Sequence, residues 1–258
     1  MDETIHVLGL TIQKNGSPEQ SISERECHYL VNGACDQCTC DKCTGGLIID
    51  KERGVARDCS CKVKAINRLR FKKTGLRAKD TFDSYIPGWK SKEDKPWQTA
   101  VKDAALSFVA DKAARGFFAA GQSGAGKTHI CTAIIQAIPT RGSIRIFRWA
   151  SDALRIKALV NDPDRYKDEL QPYKDADILY IDDLFKQDAT DADIRLAFEI
   201  IDDRCNRGRV TIISSERCID EIKKMRDGNG EAIAGRIMEL CGEYCLNLSG
   251  SDKNQRFK

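Results

Sequence analysis

The sequence predicts an α/β protein, a parallel sheet flanked by helices, preceded by a small N-terminal metal-binding domain. Short apolar runs alternate with amphipathic helical segments from residue 98 onward, a pattern typical of a parallel sheet with both faces covered. A glycine-rich loop at 121–128 joins one apolar run to a helix. Seven of the twelve cysteines fall between Cys27 and Cys61, outside this alternation. The predicted parts are a cysteine-rich zinc-binding domain over 1–64, a basic helix and linker over 65–97, and the α/β domain over 98–258.

Length and charge limit the class of protein. A chain of 258 residues suits one medium α/β domain with a small appendage. The net charge is only +3, from 42 basic and 39 acidic residues, so any binding to nucleic acid depends on local patches. The sequence has no long apolar run and no signal peptide pattern. We expect a cytoplasmic protein without a membrane partner.

The glycine-rich loop is the strongest motif. Its pattern is G-x-x-x-x-G-K-T; it follows the apolar run Phe117 to Ala120 and precedes a helical pattern from Ile130 to Ile138. The glycines let successive backbone N–H groups and the helix N-terminus point at the β- and γ-phosphates of a nucleotide. Lys127 adds a positive charge, and the Thr128 hydroxyl is a suitable Mg²⁺ ligand. The predicted phosphate-binding residues are Gly121, Gln122, Ser123, Gly124, Ala125, Gly126, Lys127 and Thr128.

Two carboxylates supply the second half of a nucleotide-hydrolysing site. The predicted strand Asp177 to Asp183 ends in Asp182, which is suited to hold the Mg²⁺ water shell, and Asp183, which can orient or deprotonate the attacking water. The sequence has no N-K-x-D guanine-binding motif, so ATP is the predicted nucleotide. If the later strand Val210 to Ser215 lies between the other two, its end can sense hydrolysis. The candidates there are Ser214, Ser215 and Glu216.

Periodicity assigns the other elements of the α/β domain. Helical patterns cover Gln98 to Ala114, Asp191 to Arg207, and Ala232 to Cys241, the last of which carries Arg236. Ser151 is expected to cap a helix that runs to about Val160. The further predicted strands are Ile144 to Phe147 and Glu243 to Leu248.

Two closely spaced cysteine pairs predict a structural zinc site. The pairs are Cys40 with Cys43 and Cys59 with Cys61, and the segment between them, with three glycines, suits a hairpin that folds one pair onto the other. Four thiolates in a tetrahedral cage are typical of structural zinc, which supplies folding energy that a small domain lacks. Free buried cysteines and an iron–sulfur cluster are the alternatives. A second site remains open at Cys27, His28, Cys35 and Cys38.

The segment after the cysteines is strongly basic. Eight Lys or Arg residues and no acidic residue lie between Lys62 and Lys79, with apolar residues at helical spacing. The pattern predicts a basic amphipathic helix, either a solvated charged face or a contact for a phosphate backbone. The following segments, Thr81 to Tyr85 and Pro87 to Trp89, predict a linker whose aromatic residues pack on the next domain; a position beside the nucleotide base is the alternative.

These motifs resemble the AAA+ ATPases of the DnaC/DnaI-type replicative helicase loader family of bacteria and phages, whose close relative is the IstB transposition helper. The resemblance covers about residues 40 to 258. The phosphate loop alone indicates only a superfamily, whereas the ordered set is far more specific. Besides the loop, the set comprises Cys40 to Cys43, Gly54 to Cys61, Thr81 to Tyr85, Ile181 to Leu184, Ile212 to Arg217 and Gly235 to Cys241.

The resemblance implies an ATPase with a P-loop AAA+ core that binds a DnaB-type hexameric replicative helicase and single-stranded DNA, and that self-associates through its ATPase domain. It implies that Lys127 and Thr128 bind ATP and Mg²⁺ and that Asp182 is the metal-side acid. Arg236 matches an arginine finger that reaches the ATP of a neighbouring subunit. The other predicted nucleotide-binding positions are His129, Ser215 and Arg256, the last as a second, nucleotide-sensing arginine.

The chain departs from the family pattern at two positions. Asp183 stands where many AAA+ proteins have Glu, one methylene longer, which is expected to slow hydrolysis. Glu216 stands where a sensor Asn is common. With no helical lid predicted after the final strand, the sequence indicates a minimal AAA+ core.

Three functions are compatible with the sequence. The first is a helicase loader, favoured by the cysteine-rich domain as a docking module; the second is an IstB-like transposition helper. The third is a zinc-containing DNA-binding adaptor that uses ATP as a switch with little turnover. Single-stranded DNA has two candidate sites, the basic run from Lys62 to Lys79 and a groove formed on assembly by residues such as Arg145 and Arg148.

Overall fold

The computed structural model divides the chain into two units, Met1–Leu69 and Arg70–Lys258. The larger unit therefore begins inside the segment that we predicted to be a basic helix and linker. The described residues are 5–7, 10–12, 43–44, 47–50, 55–88, 95–138 and 142–249.

The smaller unit contains two antiparallel sheets. Strands β1 (Ile5–Val7) and β2 (Leu10–Ile12) form a pair. Strands β3 (Cys43–Thr44), β4 (Leu47–Asp50) and β5 (Val55–Asp58) form the second sheet in that order, with Thr44 opposite Leu47 and Leu47 opposite Asp58. This register brings the backbone of Cys43 and of Cys59, which follows β5, near the same end of the sheet. Helix α1 (Ser60–Lys72) starts directly afterwards.

The larger unit contains the predicted parallel sheet. Its strands lie in the order β10-β6-β9-β8-β7, and every pair is parallel. Because β9 lies between β6 and β8, the carboxyl ends of the phosphate-loop strand, the acidic strand and the predicted sensor strand meet at one edge. The strands are β6 (Gly116–Ala120), β7 (Ile144–Arg148), β8 (Ile178–Leu184), β9 (Val210–Ser215) and β10 (Cys245–Asn247).

Helices cover both faces of this sheet. Alternate strand residues face opposite sides, so that Phe118 and Ile181 join one buried cluster while Phe117 and Tyr180 join the other. No helix in the described part of the chain is long and apolar enough to cross a membrane. The helices are α2 (Pro96–Ala110), α3 (Lys127–Ala137), α4 (Trp149–Lys157), α5 (Pro163–Asp175), α6 (Asp191–Asn206), α7 (Ile219–Lys223) and α8 (Glu231–Cys241), with 3₁₀ turns at Met225–Gly228 and Gly242–Tyr244.

One helix prediction was wrong and one helix was not predicted. Helix α4 begins at Trp149, so Ser151 lies in its first turn and does not cap it; the Asp152 carboxylate accepts the Arg148 N–H instead, at 2.8 Å, and the helix ends before Val160. Helix α5 was missed because its apolar stripe is thin, with Leu170 as its only buried residue. Its start did carry a signal, since Asp162 accepts the N–H of Arg165 at 3.2 Å and Pro163 follows directly.

A buried arginine joins the elements at the amino ends of the strands. Arg204 of α6 is 0% exposed. Its Nη1 donates to the carbonyls of Tyr173, Lys174 and Ala176 at the end of α5, at 2.9, 3.0 and 2.7 Å. Its remaining donors reach β9, where the partners are Val210 O at 2.6 Å and Thr211 Oγ1 at 2.9 Å. The guanidinium thereby satisfies carbonyls that the end of α5 leaves unpaired.

Candidate nucleotide-binding site

A cleft of about 310 Å³ opens at the carboxyl edge of the sheet. Residues 123–129 of the phosphate loop and the first turn of α3 form one wall. Asp183, near the end of β8, and Lys186, just after that strand, also line the cleft, and Tyr85 and Gln98 lie on the connector side. The structure therefore brings the predicted phosphate loop and one of the two predicted acids into one cleft, as expected for ligands at the carboxyl ends of parallel strands.

All three glycines of the loop have a positive φ, a conformation that favours glycine, and at two of them a side chain would also lie too close to a neighbour. Gly121 has φ 143° and Gly126 has φ 89°. A Cβ on Gly121 would lie 2.4 Å from the carbonyl oxygen of Leu248, and one on Gly126 would lie 3.3 Å from the ring of Tyr85. The loop is thus packed against the segment after β10 and against the connector. Helix α3 starts at Lys127, three residues earlier than predicted, so its first unpaired N–H groups belong to the loop motif itself.

Lys127 is held inside the loop. Its Nζ donates to Gly121 O at 2.6 Å and to Gln122 O at 3.0 Å, and the residue is 5% exposed. Burial lowers the pKa of the Lys127 ammonium, while the nearby carboxylates of Asp183 and Glu216 act in the opposite direction. Two neutral carbonyls are weak partners for a buried ammonium, which makes the site a strong one for an anion.

Asp182 is oriented by two hydroxyl groups. Tyr180 donates to Asp182 Oδ1 at 2.7 Å, and Ser214 donates to the same oxygen at 3.2 Å. Burial raises the pKa of Tyr180 well above its usual value, so the phenol remains a donor. Asp182 Oδ2 has no hydrogen bond within the described residues, nor does the Thr128 hydroxyl. Both are oxygen donors of the kind that Mg²⁺ prefers, so these two predicted ligands fit that ion.

Asp183 stands on a distorted strand end. The ladder between β8 and β9 shifts register between Ile181 and Leu184, and Asp183 has a left-handed φ of 57°. Its N–H donates to Ser214 Oγ at 3.0 Å, and its Oδ2 accepts from Lys186 Nζ at 2.6 Å. Lys186 could not be predicted from the sequence, because a lysine three residues after an acid indicates a site only once the turn between them is known.

The three candidate sensor residues differ in their distance from the cleft and from the two acids. Ser214 contacts Asp182 and the backbone of Asp183, as described above, and Glu216 lines the cleft. Ser215 is 0% exposed; its hydroxyl donates to Leu184 O at 2.7 Å and accepts from the N–H of Arg217 at 3.0 Å. The structure therefore does not bring the Ser215 hydroxyl to the cleft, and the polar contact to the acids comes from Ser214.

The connector before α2 is built into the site. Tyr85 is 6% exposed, and its ring packs edge-on against His129, with the centroids 5.2 Å apart. Nε2 of His129 lies 3.0 Å from Thr81 O and 3.1 Å from Ser84 Oγ. The predicted packing of the connector is present at Phe82 and Tyr85, whereas Trp89 lies outside the described residues; Tyr85 also lines the cleft. Its hydroxyl has no hydrogen-bond partner among the described residues.

Comparison with known families identifies the group to which these motifs belong. Residues 36–245 match the family described as IstB-like ATP binding protein. The chain belongs to this family. The family is one of ATP-binding proteins, which agrees with the predicted phosphate loop and the predicted nucleotide.

Two Bacillus subtilis proteins are similar to this IstB-like protein in sequence. The uncharacterized protein YqaM is 31% identical over 137 residues, and the phage-like element PBSX protein XkdC is 30% identical over 138 residues. These matches cover 50% and 51% of this chain, and 42% and 49% of the two relatives. The chain thus spans about half the length of the curated relatives it matches.

Solved structures share the fold. The DnaC helicase loader matches with a TM-score of 0.55 and 22% identity, over 67% of this chain and 97% of that one. DnaI matches with 0.52 and 17%, over 70% and 95%. The replication initiator DnaA bound to AMPPCP and single-stranded DNA matches with 0.51 and 20%, over 71% and 53%. These similarities confirm the predicted fold of the larger unit, a parallel sheet flanked by helices.

The two predicted arginines of this IstB-like protein lie apart from the cleft or outside the described residues. Arg236 is partly exposed on α8, where its Nε pairs with Asp202 of the neighbouring helix α6 at 2.7 Å and its Nη1 pairs with Glu239 at 2.7 Å. It is not among the described residues that line the cleft. Arg256 lies outside the described residues, so its role remains a prediction.

The predicted zinc ligands are only partly covered by the structure. Cys40 lies outside the described residues, and the side chains of Cys43 and Cys61 are not described. Cys59 is 1% exposed. In the described part of the chain no group of three or more His, Cys, Asp or Glu is placed to hold a metal ion. The zinc site therefore remains a prediction.

The predicted basic helix is present, as α1, but it ends at Lys72. Lys62 pairs with Asp58 at 3.0 Å, whereas Arg68 is exposed. Arg145 and Arg148 are both exposed on the edge strand β7, but three residues apart on a strand they face opposite sides of the sheet. Within one chain these two arginines do not form a single patch.

Proposed function

We propose that this IstB-like protein hydrolyses ATP in DNA replication, where it binds a DnaB-type hexameric helicase and single-stranded DNA and helps to place the helicase on DNA. The proposal of ATP hydrolysis rests mainly on one observation: the phosphate loop and Asp183 line the same cleft, and Asp182 precedes Asp183 directly. The replication part is supported by the fold similarity to the DnaC helicase loader and DnaI, each matched over nearly its whole length.

The residues of the cleft have separate roles in this proposal. Lys127 and the loop N–H groups bind the β- and γ-phosphates, and Thr128 and Asp182 would hold Mg²⁺, which neutralises charge on the phosphates when bound. Asp183 orients a water whose oxygen bonds to the γ-phosphorus while the bond from that phosphorus to the bridging oxygen breaks. ADP leaves with the bridging oxygen, and the proton of the water passes to Asp183 and then to solvent.

Completion of the site by a neighbouring subunit is part of the proposal. Arg236 does not line the cleft of its own chain, and its side chain is partly exposed, as are those of its partners Asp202 and Glu239. Surface ion pairs of this kind are weak, so a phosphate of a neighbouring chain can replace them. Hydrolysis would then require self-association of the ATPase domain.

We also infer a zinc ion held by Cys40, Cys43, Cys59 and Cys61. The register of β3, β4 and β5 supports it, because it places the backbone of Cys43 and Cys59 near one end of the sheet. Elemental analysis should find about one zinc per chain if this site is occupied. Metal-free protein, or iron with visible absorbance, would overturn this assignment.

Two other functions are each favoured by a specific observation. The family description favours a transposition helper that has the same ATPase site but a transposase as partner. The ion pair between Asp183 and Lys186 favours an adaptor with little turnover, because a paired acid is less able to activate water.

One set of measurements separates these functions. Phosphate release from Mg-ATP is measured for the full chain alone, with single-stranded DNA, with a DnaB-type helicase and with an IS21-type transposase. Lys127→Ala protein sets the background. If the helicase stimulates phosphate release and co-elutes with the chain, helicase loading is supported. If only the transposase does so, loading is overturned in favour of the transposition helper. Release that never exceeds the background would leave only the adaptor.

Single-stranded DNA binding is tested by salt dependence and by one multiple variant. Phosphate contacts predict a log–log slope of affinity against salt of about −0.7 per phosphate neutralised. If DNA binds along an assembled groove of the ATPase domain, neutralising Arg68, Arg70, Lys72 and Lys73 together leaves an ATP-dependent component. Complete loss with and without ATP would instead place the site on the basic run.

A further inference from the structure

Lys186 is a second cation in the phosphate end of the cleft. It lines the cleft together with Lys127, Asp183 and Glu216. Its Nζ donates to Asp183 Oδ2 at 2.6 Å, the oxygen of the acid that the proposed reaction needs for water. The Lys186 side chain is 48% exposed and that of Asp183 is 24% exposed, so the pair borders solvent at the mouth of the cleft.

The backbone between these two side chains is firmly anchored. Leu184 is 0% exposed and Phe185 is 1% exposed, and the Phe185 ring packs edge-on against Trp149 at 5.2 Å. The Lys186 N–H donates to Asp183 O at 3.1 Å, which closes the turn. Asp183 is held further by its own N–H bond to Ser214. The turn is therefore rigid, and the flexible part of the pair is the four-carbon chain of Lys186.

One carboxylate oxygen cannot serve two partners equally well. While Asp183 Oδ2 accepts from the ammonium, it is a poorer acceptor for the proton of a water. A γ-phosphate bound beside Lys127 would bring more negative charge than the Asp183 carboxylate, in a place that the half-exposed lysine can reach by rotation of its side chain.

We propose that Lys186 leaves Asp183 and binds the γ-phosphate when ATP enters, so that the same movement stabilises the phosphate and frees Asp183 for the attacking water. ADP lacks the γ-phosphate and leaves the ion pair in place. Lys186 thus makes the site respond to the third phosphate. The inference rests on the proposed ATP binding but concerns a residue and a discrimination that the proposed function does not require.

The test measures affinities for ADP and for a non-hydrolysable ATP analogue, each with Mg²⁺, by calorimetry on the full chain. In Lys186→Ala the affinity for the ATP analogue should fall about tenfold while that for ADP stays within about twofold, since only one charged contact to the γ-phosphate is lost. Phosphate release at saturating ATP should fall as well. Lys186→Arg should keep most of the preference for the ATP analogue.

Two further variants separate this role from a purely structural one. In Asp183→Asn the competing carboxylate is removed, so the affinity for the ATP analogue should rise while that for ADP does not, and adding Lys186→Ala should abolish the gain. Lys174→Ala is the matched control: Lys174 also pairs with a carboxylate, Glu199 at 3.2 Å, but on α5 near the amino ends of the strands. It should change neither affinity.

The outcomes are distinguishable. An equal fall for both nucleotides in Lys186→Ala, or no change for either, would overturn the inference. Failure of the unmodified chain to bind any nucleotide would contradict the proposed function itself, and this would be seen before any variant is compared.

Discussion

Two buried cations at opposite ends of the sheet differ in how their hydrogen-bonding needs are met. Arg204, at the amino ends of the strands, is 0% exposed and donates from all three of its nitrogens to groups of α5 and β9. Lys127, at the carboxyl ends, is 5% exposed and donates to two carbonyls of its own loop. Burial lowers the pKa of both groups, that of Arg204 to about 9.

This difference in hydrogen-bond partners indicates that the charge of Arg204 is structural and that the charge of Lys127 is functional. The partners of Arg204 belong to two other elements, the end of α5 and the start of β9, so this side chain links three elements of the fold, and each of its nitrogens has a partner. The partners of Lys127 are neighbours in one loop, and an ammonium has three donors. A buried cation with an incomplete set of partners beside a cleft is a site for an anion.

The largest expected effect is on stability at the amino ends. Arg204→Met should lower the free energy of unfolding by roughly 3–5 kcal/mol, because four carbonyls and a hydroxyl lose a charged donor in the interior. For a chain of this size the melting temperature should fall by roughly 10 °C. Urea and thermal unfolding measure both quantities.

Arg207→Met is the control for this prediction. Arg207 is a more exposed neighbour that pairs with Asp175 and Asp203, and its loss should lower the free energy of unfolding far less than the loss of Arg204 does, because exposed ion pairs are weak. Similar losses of unfolding free energy in the two variants would mean that neither the burial of Arg204 nor its full set of hydrogen bonds stabilises the fold. The contrast drawn with Lys127 would then be wrong.

Lys127 should give the opposite pattern. Lys127→Ala should lower ATP affinity by roughly a hundredfold, about 2.7 kcal/mol, because the loop N–H groups alone do not neutralise the phosphates. Without added nucleotide, the free energy of unfolding should stay the same or rise, since a poorly solvated charge is removed. Calorimetry with ATP and urea unfolding without it are the measurements. Unchanged ATP affinity would refute the claim that Lys127 binds the phosphates of the nucleotide.

Arg236 extends the comparison to a cation on the surface. If it acts on the ATP of a neighbouring subunit, Arg236→Ala and Lys127→Ala proteins should each be inactive in hydrolysis but regain turnover when mixed. At equal amounts about a quarter of the interfaces combine an intact loop with an intact arginine, so recovery should be on that order. Phosphate release across a range of ratios measures it. No recovery at any ratio would argue for a role within one chain.

Tyr85 is the polar group of the cleft for which the smallest effect is expected. Burial raises the pKa of its phenol to about 12, so the folded chain keeps this proton at a pH where the unfolded chain loses it. The resulting contribution to stability is complete below about pH 10 and should decline by roughly 2 kcal/mol as pH rises to about 12.

Tyr85→Phe should remove this part of the pH dependence. At pH 7 the variant should change the free energy of unfolding by less than about 1 kcal/mol, because the hydroxyl has no partner to lose within the described residues. Urea unfolding of both proteins between pH 8 and 12 isolates the contribution as a difference. Parallel curves would show that Tyr85 ionises like an exposed tyrosine.

The sequence by itself determined the features whose parts are adjacent along the chain. The loop from Gly121 to Thr128 needs only consecutive residues in one turn, and the strand ending in Asp182 and Asp183 is a continuous apolar run, so motif and periodicity sufficed for both. The alternation of strands and helices likewise predicted the parallel sheet. Helix α5 was missed although a capping residue and a proline marked its start, because most of its surface is polar.

Only the tertiary structure decided which side chains complete the site. Ser214 and Tyr180 reach Asp182 because β9 and β8 are neighbours in the sheet, and the bulge after Ile181 turns Asp183 toward Lys186. Arg204 meets carbonyls about thirty residues away, where no local pattern marks it as buried. Local motifs depend on backbone geometry within a few residues, whereas these contacts depend on strand order and register, which form only when the whole sheet is assembled.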